Sequence, residues 1–347
     1  MSIVISRSVN LLVVDDSSFM RHMISDILSS EKNIKIETVS NGKQALNKIK
    51  EKAPDIITLD LEMGVMNGIE FLEVLKKENI SIPVIILSKF VNNDASMVMK
   101  AFELGAIDAV HKPEAGIAYE IDKLKKELLE KIHLVINKKI KILRPDFKRT
   151  TLSVKNAFVI PKVMVIGAST GGPPALYEIF SRLPKLKLPV LVVQHMPAGF
   201  TDSFAKRLND IGQMEVKIAE QGEALRLGTA YVAPGNYHLT VNKDYNIELI
   251  QTPQVNGVRP SIDVTLDSIA DVFGGRVLSV ILTGMGSDGT KGVEKIKALG
   301  GKCLAQDESS SAVFGMPEAV INAGLADSVM ALDKMPEEIV KYLLNWN

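Results

Sequence analysis

Apolar and polar positions along this chain alternate in two successive series. From Val9 to about Leu134, short β-branched runs occur at Leu11-Leu12-Val13-Val14, Ile34 to Val39, Asp55 to Leu59, Val84 to Leu87 and Ala109-Val110. Between them, Ser17 to Leu28, Gly42 to Glu51, Gly68 to Lys77 and Ala95 to Leu104 carry apolar residues at helical spacing. Strands separated by helices build parallel sheets, because a parallel neighbour is reached only through a crossover connection. The first series therefore predicts one doubly wound domain over 1–135. After Pro161 a second series predicts strands at Val163 to Ile166, Val190 to Val193, Ala230 to Ala233, Ile247 to Ile250, Val277 to Leu282 and Lys302 to Ala305. A second α/β domain is expected over 161–347, with the Ala230 to Ile250 part antiparallel because its segments are short and turn-linked. The stretch 136–160 between them is read as a linker. There Lys138, Lys139, Lys141, Arg144, Lys148 and Arg149 face only Asp146, and Pro145 and Pro161 interrupt any helix, so a solvated connector is expected.

Composition narrows the class. With 347 residues, 46% hydrophobic and 24% charged, the chain is long enough for two domains with separate cores. A formal net charge of +0 gives no nucleic-acid footprint. The lone Cys303 excludes an intrachain disulfide, no apolar run reaches membrane-spanning length, and Met1 to Asn10 lacks the layout of a secretory signal. A cytoplasmic protein without direct membrane insertion is the expectation.

Three carboxylates close predicted strands of the first domain, Asp15 and Asp16 after the first and Asp60 after the third. In an open parallel sheet those ends meet at the ligand crevice. Adjacent carboxylates there need a compensating cation, and an all-oxygen set suits Mg²⁺ better than zinc. With the charge neutralised, one carboxylate can accept a phosphoryl group, and Ser88 and Lys112, ending the fourth and fifth strands, are placed to contact its oxygens. Helix capping explains Asp15 or Asp16 singly but not the set. These positions over Val9 to Leu134 resemble a response-regulator receiver domain, of flavodoxin-like fold. The resemblance implies Asp60 as phosphoacceptor, Asp15, Asp16, Asp60 and the Glu62 backbone carbonyl as Mg²⁺ ligands, and Ser88 and Lys112 as readers of the phosphoryl state. Ala109 stands where receivers often carry an aromatic switch residue, and Gly64 where a proline is common.

The second domain opens with Gly167-Ala168-Ser169-Thr170-Gly171-Gly172 directly after an apolar run. Glycines around a serine permit a sharp strand-to-helix turn that exposes the hydroxyl and leaves backbone N–H groups for an oxyanion. The same serine is equally readable as a helix N-cap. A dinucleotide loop lacks its middle glycine, and Gly284 to Lys291 has Thr290 where a phosphate loop needs glycine. A nucleophile needs a base. His195 follows a predicted parallel strand on the same sheet edge, whereas His238 lies just past the turn Pro234-Gly235-Asn236 and reads as well as a surface turn residue. Asp288, between glycines, is preferred over Asp263 and Asp307 to orient the imidazole. The chain order Ser, His, Asp differs from that of α/β-hydrolases, chymotrypsin and subtilisin.

Gly167 to Gly172, Gln194 to Thr201, Ala233-Pro234-Gly235, Arg259-Pro260-Ser261-Ile262-Asp263, Gly284 to Gly289 and Phe314 to Pro317 together resemble the motifs of chemotaxis protein-glutamate methylesterases. That resemblance implies a Rossmann-like hydrolase domain using Ser169, His195 and Asp288, with backbone N–H groups of Thr170 and Met285 as oxyanion donors and no cofactor for hydrolysis. It implies γ-glutamyl methyl esters of methyl-accepting chemoreceptors as substrate, methanol as product, and deamidation of receptor glutamines in some members. It also implies a chemotaxis histidine kinase as phosphodonor and a receiver that restrains the esterase until phosphorylated. The competing classes are a phosphorylation-controlled adaptor without catalysis, and a transcription regulator, which would need a basic element after Pro161 that the sequence lacks.

Overall fold

The computed structural model describes residues 8–89, 92–113, 118–137, 142–145 and 163–346. The chain forms two compact units, Met1–Arg144 and Pro145–Asn347. Among the described residues no helix is long and apolar enough to cross a membrane.

In the first unit strands and helices alternate strictly: β1 (Val9–Val14), α1 (Ser18–Leu28), β2 (Ile34–Val39), α2 (Gly42–Glu51), β3 (Ile56–Asp60), α3 (Gly68–Lys77), β4 (Val84–Ser88), α4 (Asn92–Glu103), β5 (Asp108–His111) and α5 (Ala118–Asn137). The sheet order is β2-β1-β3-β4-β5, all parallel, which is the flavodoxin-like order with its switch point between β1 and β3. β3 and β4 are buried at every position, as continuous apolar runs must be when helices cover both faces. Three helices begin on side-chain caps, from Ser17, Asn41 and Asn67, the last a reciprocal capping box with Glu70. The core joins Val13, Ile24, Leu28, Ile56, Ile85 and Leu128.

The expected solvated connector is only partly within the described residues; Lys138, Lys139, Lys141, Lys148 and Arg149 lie outside them. Arg144 departs from the expectation. Its Nη2 donates to the Ile80 carbonyl at 2.8 Å and the Leu75 carbonyl at 3.4 Å, and burial lowers its pKa. A carbonyl in the last turn of α3 and one just past it thus find a cation, which fastens this end of the segment to the first unit.

The second unit contains β6 (Val163–Ala168), α6 (Gly172–Arg182), β7 (Val190–Gln194), α7 (Ala198–Ile211), β8 (Glu215–Ile218), β9 (Thr229–Val232), β10 (His238–Val241), β11 (Ile247–Ile250), α8 (Ile262–Phe273), β12 (Val277–Ile281), α9 (Thr290–Ala298), β13 (Lys302–Gln306), α10 (Met316–Asn322), β14 (Ser328–Met330) and α11 (Met335–Leu344). Seven strands form one parallel sheet in the order β14-β13-β12-β6-β7-β9-β8. Among the described residues, antiparallel strand pairing is found in a separate ribbon of β10 and β11, with isolated antiparallel bridges at Ala224–Asn246 and Val255–Val258. The Ala230 segment, expected in the antiparallel part, instead joins the main sheet parallel to both β7 and β8. β8 and β14 escape the sequence reading because they are short edge strands of four and three residues that bury almost no side chain fully. Winding runs outward from β6 through β7 on one side and β12 on the other, so the ends of these three strands meet at the switch point.

Candidate functional sites

In the second unit, β6 and β7 pair up to Ala168↔Gln194, so Ser169 and His195 leave the sheet side by side. The His195 backbone N–H donates to the Ala168 carbonyl at 3.0 Å. On the other flank the Ser169 N–H donates to the Thr283 carbonyl just past β12, also at 3.0 Å. A Cβ on Gly284 would come within 2.7 Å of Ser169 Cβ, so only glycine lets this loop approach the serine. One side-chain amide ties the two together. Gln194 Nε2 gives one hydrogen to the Ser169 carbonyl at 3.0 Å and one to the His195 carbonyl at 2.9 Å.

The helix-cap alternative for Ser169 does not hold. The cap of α6 is Gly171, in the left-handed region at φ 76°, with no side-chain capping bond. Among the described residues the half-buried Ser169 Oγ has no hydrogen bond. Pro173 and Pro174 remove two of the N–H groups with which α6 would otherwise begin, leaving donors near the serine to the loops. Thr170 is buried, its carbonyl accepting from Thr283 Oγ1 at 2.9 Å. Met285 follows Gly284, whose carbonyl is held by the N–H groups of Gly315 and Met316; the Met285 N–H has no partner among the described residues.

His195 Nε2 lies 2.8 Å from Asp288 Oδ2. If Nε2 carries the proton for that bond, Nδ1 has the lone pair for a neighbouring hydroxyl. Asp288 is 2% exposed and sits at the N-terminus of α8. Its Oδ1 accepts from Ser261 Oγ at 2.7 Å, Asn256 Nδ2 at 3.0 Å and Asp263 N–H at 3.3 Å, and its Oδ2 from Ile262 N–H at 2.7 Å. Burial alone would raise the carboxyl's pKa. The His195 hydrogen bond and charge, with the Ile262 and Ser261 donors, outweigh it and hold the pKa at about 2. The rejected acids have other work. Asp263 binds the Gly292 N–H and Asn256, and burial pushes its pKa up; Asp307 holds the Ser309-Ser310 turn.

His238 is not the surface turn residue it resembled. It is wholly buried at the start of β10, with Ser261 N–H donating to Nδ1 at 3.1 Å and Nε2 facing the Pro253 carbonyl at 3.1 Å. That pattern fixes the neutral Nε2–H tautomer and steadies the residue that caps α8. Sequence reasoning missed the roles of Gln194, Asn256 and His238. Only the adjacency of Gln194 to His195 and the turn signal Asn256-Gly257 were there to be read.

In the first unit the strand ends converge as expected. Carboxylate oxygens of Asp15, Asp16 and Asp60 lie within 4.8 Å of one another. Lys112 Nζ is 2.6 Å from Asp60 Oδ2 and 2.8 Å from Asp15 Oδ2. Asp15 accepts the Ser17 N–H and Asp60 the Glu62 N–H, at 2.9 and 3.2 Å. Burial raises the Asp15 pKa despite Lys112; burial also works against the Lys112 charge, but Asp60 and Asp15 more than offset it and raise its pKa. Ser88 Oγ donates to the Lys89 carbonyl, and the Ser88 carbonyl accepts the Lys112 N–H, which joins β4 to β5 at the site. Arg21, unread from sequence, clamps the backbone carbonyls of Asp15 and Asp16 at 2.6 and 2.9 Å. Ala109 is buried on β5, and Val65, after Gly64, is in the left-handed region at φ 69°. Three carboxylates against one ammonium, all offering oxygen, fit a hard divalent cation.

Residues 164–339 match the family model described as CheB methylesterase, and residues 11–120 that of the response regulator receiver domain. A protein-glutamate methylesterase/protein-glutamine glutaminase of Clostridium acetobutylicum is 42% identical over 341 residues, 96% of this chain and 98% of its own. One of the same description from Pyrococcus horikoshii is 40% identical, covering 96% and 94%. The crystal structure of the Thermotoga maritima CheB methylesterase catalytic domain is 44% identical with a TM-score of 0.51, covering 52% of this chain and 97% of that one. With family models matching both units and relatives aligned along nearly its whole length, the chain belongs to the CheB methylesterase family and carries a response regulator receiver domain ahead of the esterase.

Proposed function

We propose that the second unit hydrolyses γ-glutamyl methyl esters on methyl-accepting chemoreceptors by a Ser-His-Asp mechanism, releasing methanol. The observation that carries the proposal is the His195–Asp288 hydrogen bond at a strand end in register with Ser169. His195 takes the Ser169 proton as Oγ attacks the ester carbonyl, then delivers it to departing methanol; water cleaves the acyl-enzyme by the same route, leaving glutamate. Asp288, held anionic by its donors, stabilises the imidazolium formed in each half. The N–H groups of Thr170 and Met285 receive the oxyanion, each such donor typically contributing about 3 kcal/mol. Deamidation of protein glutamines, the glutaminase activity in the description of the relatives, is the same acyl transfer with ammonia as leaving group, and receptor glutamines are its proposed substrates here.

The first unit is proposed to control this chemistry. Asp60 is the phosphoacceptor for a chemotaxis histidine kinase, Asp15, Asp16, Asp60 and the Glu62 carbonyl hold Mg²⁺, and Ser88 and Lys112 contact the phosphoryl oxygens. Bound Mg²⁺ supplies charge neutralisation for phosphoryl transfer. Phosphorylation adds about −1.5 to −2 charge and activates only through a free-energy difference between states; tenfold activation needs about 1.4 kcal/mol. The proposed location is the cytoplasm.

Methanol release from methylated receptor membranes tests the reading. Ser169→Ala is expected to abolish release while leaving the circular dichroism spectrum unchanged, and full release by that variant would refute the assignment. A chain starting at Pro161 is expected to hydrolyse ester without phosphodonor, faster than the unphosphorylated full chain. Asp60→Asn should leave the full chain unresponsive to phosphodonor.

A further inference from the structure

Two carboxylates of the second unit, Asp263 and Asp288, are buried, burial and the Asp288 charge raise the pKa of Asp263, and a single side chain joins the two. Asn256 Nδ2 donates one hydrogen to Asp263 Oδ2 and the other to Asp288 Oδ1, both at 3.0 Å. The two acids are 7% and 2% exposed, whereas Asn256 itself is exposed, so the amide closes the pair from the solvent side. Its backbone is built for the task. Asn256 and Gly257 have φ 55° and 80°, and Val255 and Val258 exchange both backbone hydrogen bonds at 3.0 and 3.2 Å. That is a two-residue turn of the type that favours Asn-Gly, here carrying an amide rather than merely reversing the chain.

We propose that Asn256 is a positioning residue of this esterase, whose amide locks Asp288 in place beside His195 and shields it from the charge of Asp263. The inference rests on the Ser-His-Asp reading above. Asp288 Oδ1 takes three donors, of which Asn256 is the one that belongs neither to α8 nor to its Ser261 cap. Among the described residues, the titratable groups that meet the Asp288 carboxylate are His195 after β7 and Asp263 on α8. Removing a donor makes Asp288 more basic, so it holds the His195 imidazolium more strongly and His195 gives up its proton only at higher pH. The acid limb of kcat/KM then moves up.

The test uses the full chain and methanol release from a peptide carrying a glutamyl γ-methyl ester, measured from pH 5 to 9. Asn256→Gly keeps the positive φ and deletes the amide. It is expected to lower kcat about tenfold near neutral pH, leave KM within about twofold, and shift the acid limb upward. Asn256→Asp keeps the shape but sets a third carboxylate against the pair, and is expected to lower kcat further and move the limb further up. Superimposable pH profiles for both variants and the parent would overturn the proposal. So would losses equal at every pH accompanied by a lower Tm, the mark of a structural turn. Ser169→Ala, run alongside, separates the two failures: if it stays active the triad reading falls, and if it is dead while the Asn256 profiles match the parent only this inference falls.

Discussion

Asp15 and Asp288 are the same side chain in comparable places, beyond the C-terminal edge of a parallel sheet, and both are almost fully buried at 0% and 2% exposure. Their carboxyls nevertheless shift in opposite directions, Asp15 up and Asp288 down to about 2. Burial pushes both upward, so the sign is decided by what is aimed at the charge. Asp15 receives the Ser17 N–H and shares Lys112 with Asp60. Asp288 receives two backbone N–H groups, a hydroxyl and an amide, and faces His195. The esterase carboxylate is electrostatically complete within its own chain, while the receiver cluster has surplus negative charge suited to a cation. In the proposed mechanism Asp288 must stay ionised through every turnover, and it is surrounded by fixed dipoles. Asp15, proposed to exchange ligands, is not.

The largest expected effect comes from uncharging the complete site. Asp288→Asn should lower kcat for methanol release by about 10³ to 10⁴-fold, since the neutral amide no longer stabilises the imidazolium or fixes its tautomer. A loss below tenfold would mean that Asp288 is not the orienting acid. Ser261→Ala removes one donor while the rest stay, and a fall in kcat of about tenfold with unchanged KM is expected from steady-state kinetics.

Stability should reveal the same contrast on a smaller scale. The Asp288 pKa is depressed in the folded state from the ordinary 3.8, so its contribution is present above pH 3.8 and is lost as pH falls through about 2. Urea unfolding from pH 5 to 2 should show the parent losing about 2 kcal/mol more than Asp288→Asn. For Asp15 the sign reverses. Its folded pKa is raised, so the protonated form favours folding at low pH and that benefit is lost as pH rises through the folded value. Asp15→Asn should therefore raise the Tm of the first unit by a few degrees at pH 7. If Asp15→Asn lowers it, Lys112 outweighs burial there and the comparison fails.

Much of this was legible in order along the chain. That Ser169, His195 and Asp288 lie at one sheet edge was legible because each lies just beyond a strongly apolar strand or in a glycine-rich loop, and parallel topology sends such positions to one edge. The five receiver positions were legible for the same reason. The serine's second reading, as a cap, was settled only when Gly171 proved to cap α6. β8 and β14 were missed because edge strands this short bury too little to leave a periodic signal. His238 looked like a turn residue because nothing nearby in sequence shows that Ser261, 23 positions on, will occupy its ring nitrogen.

The sequence by itself determined the two α/β units, the strand ends that carry chemistry and the residue types placed there, because apolar periodicity and glycine-rich turns are local properties of the chain. Tertiary structure alone decided which buried acid faces His195, which direction each carboxyl's pKa moves, and that Asn256, Gln194 and His238 hold the site together. Those outcomes depend on hydrogen bonds between residues 23 to 93 positions apart or on the sum of burial and opposing charge at one point, and neither quantity exists until the chain has folded.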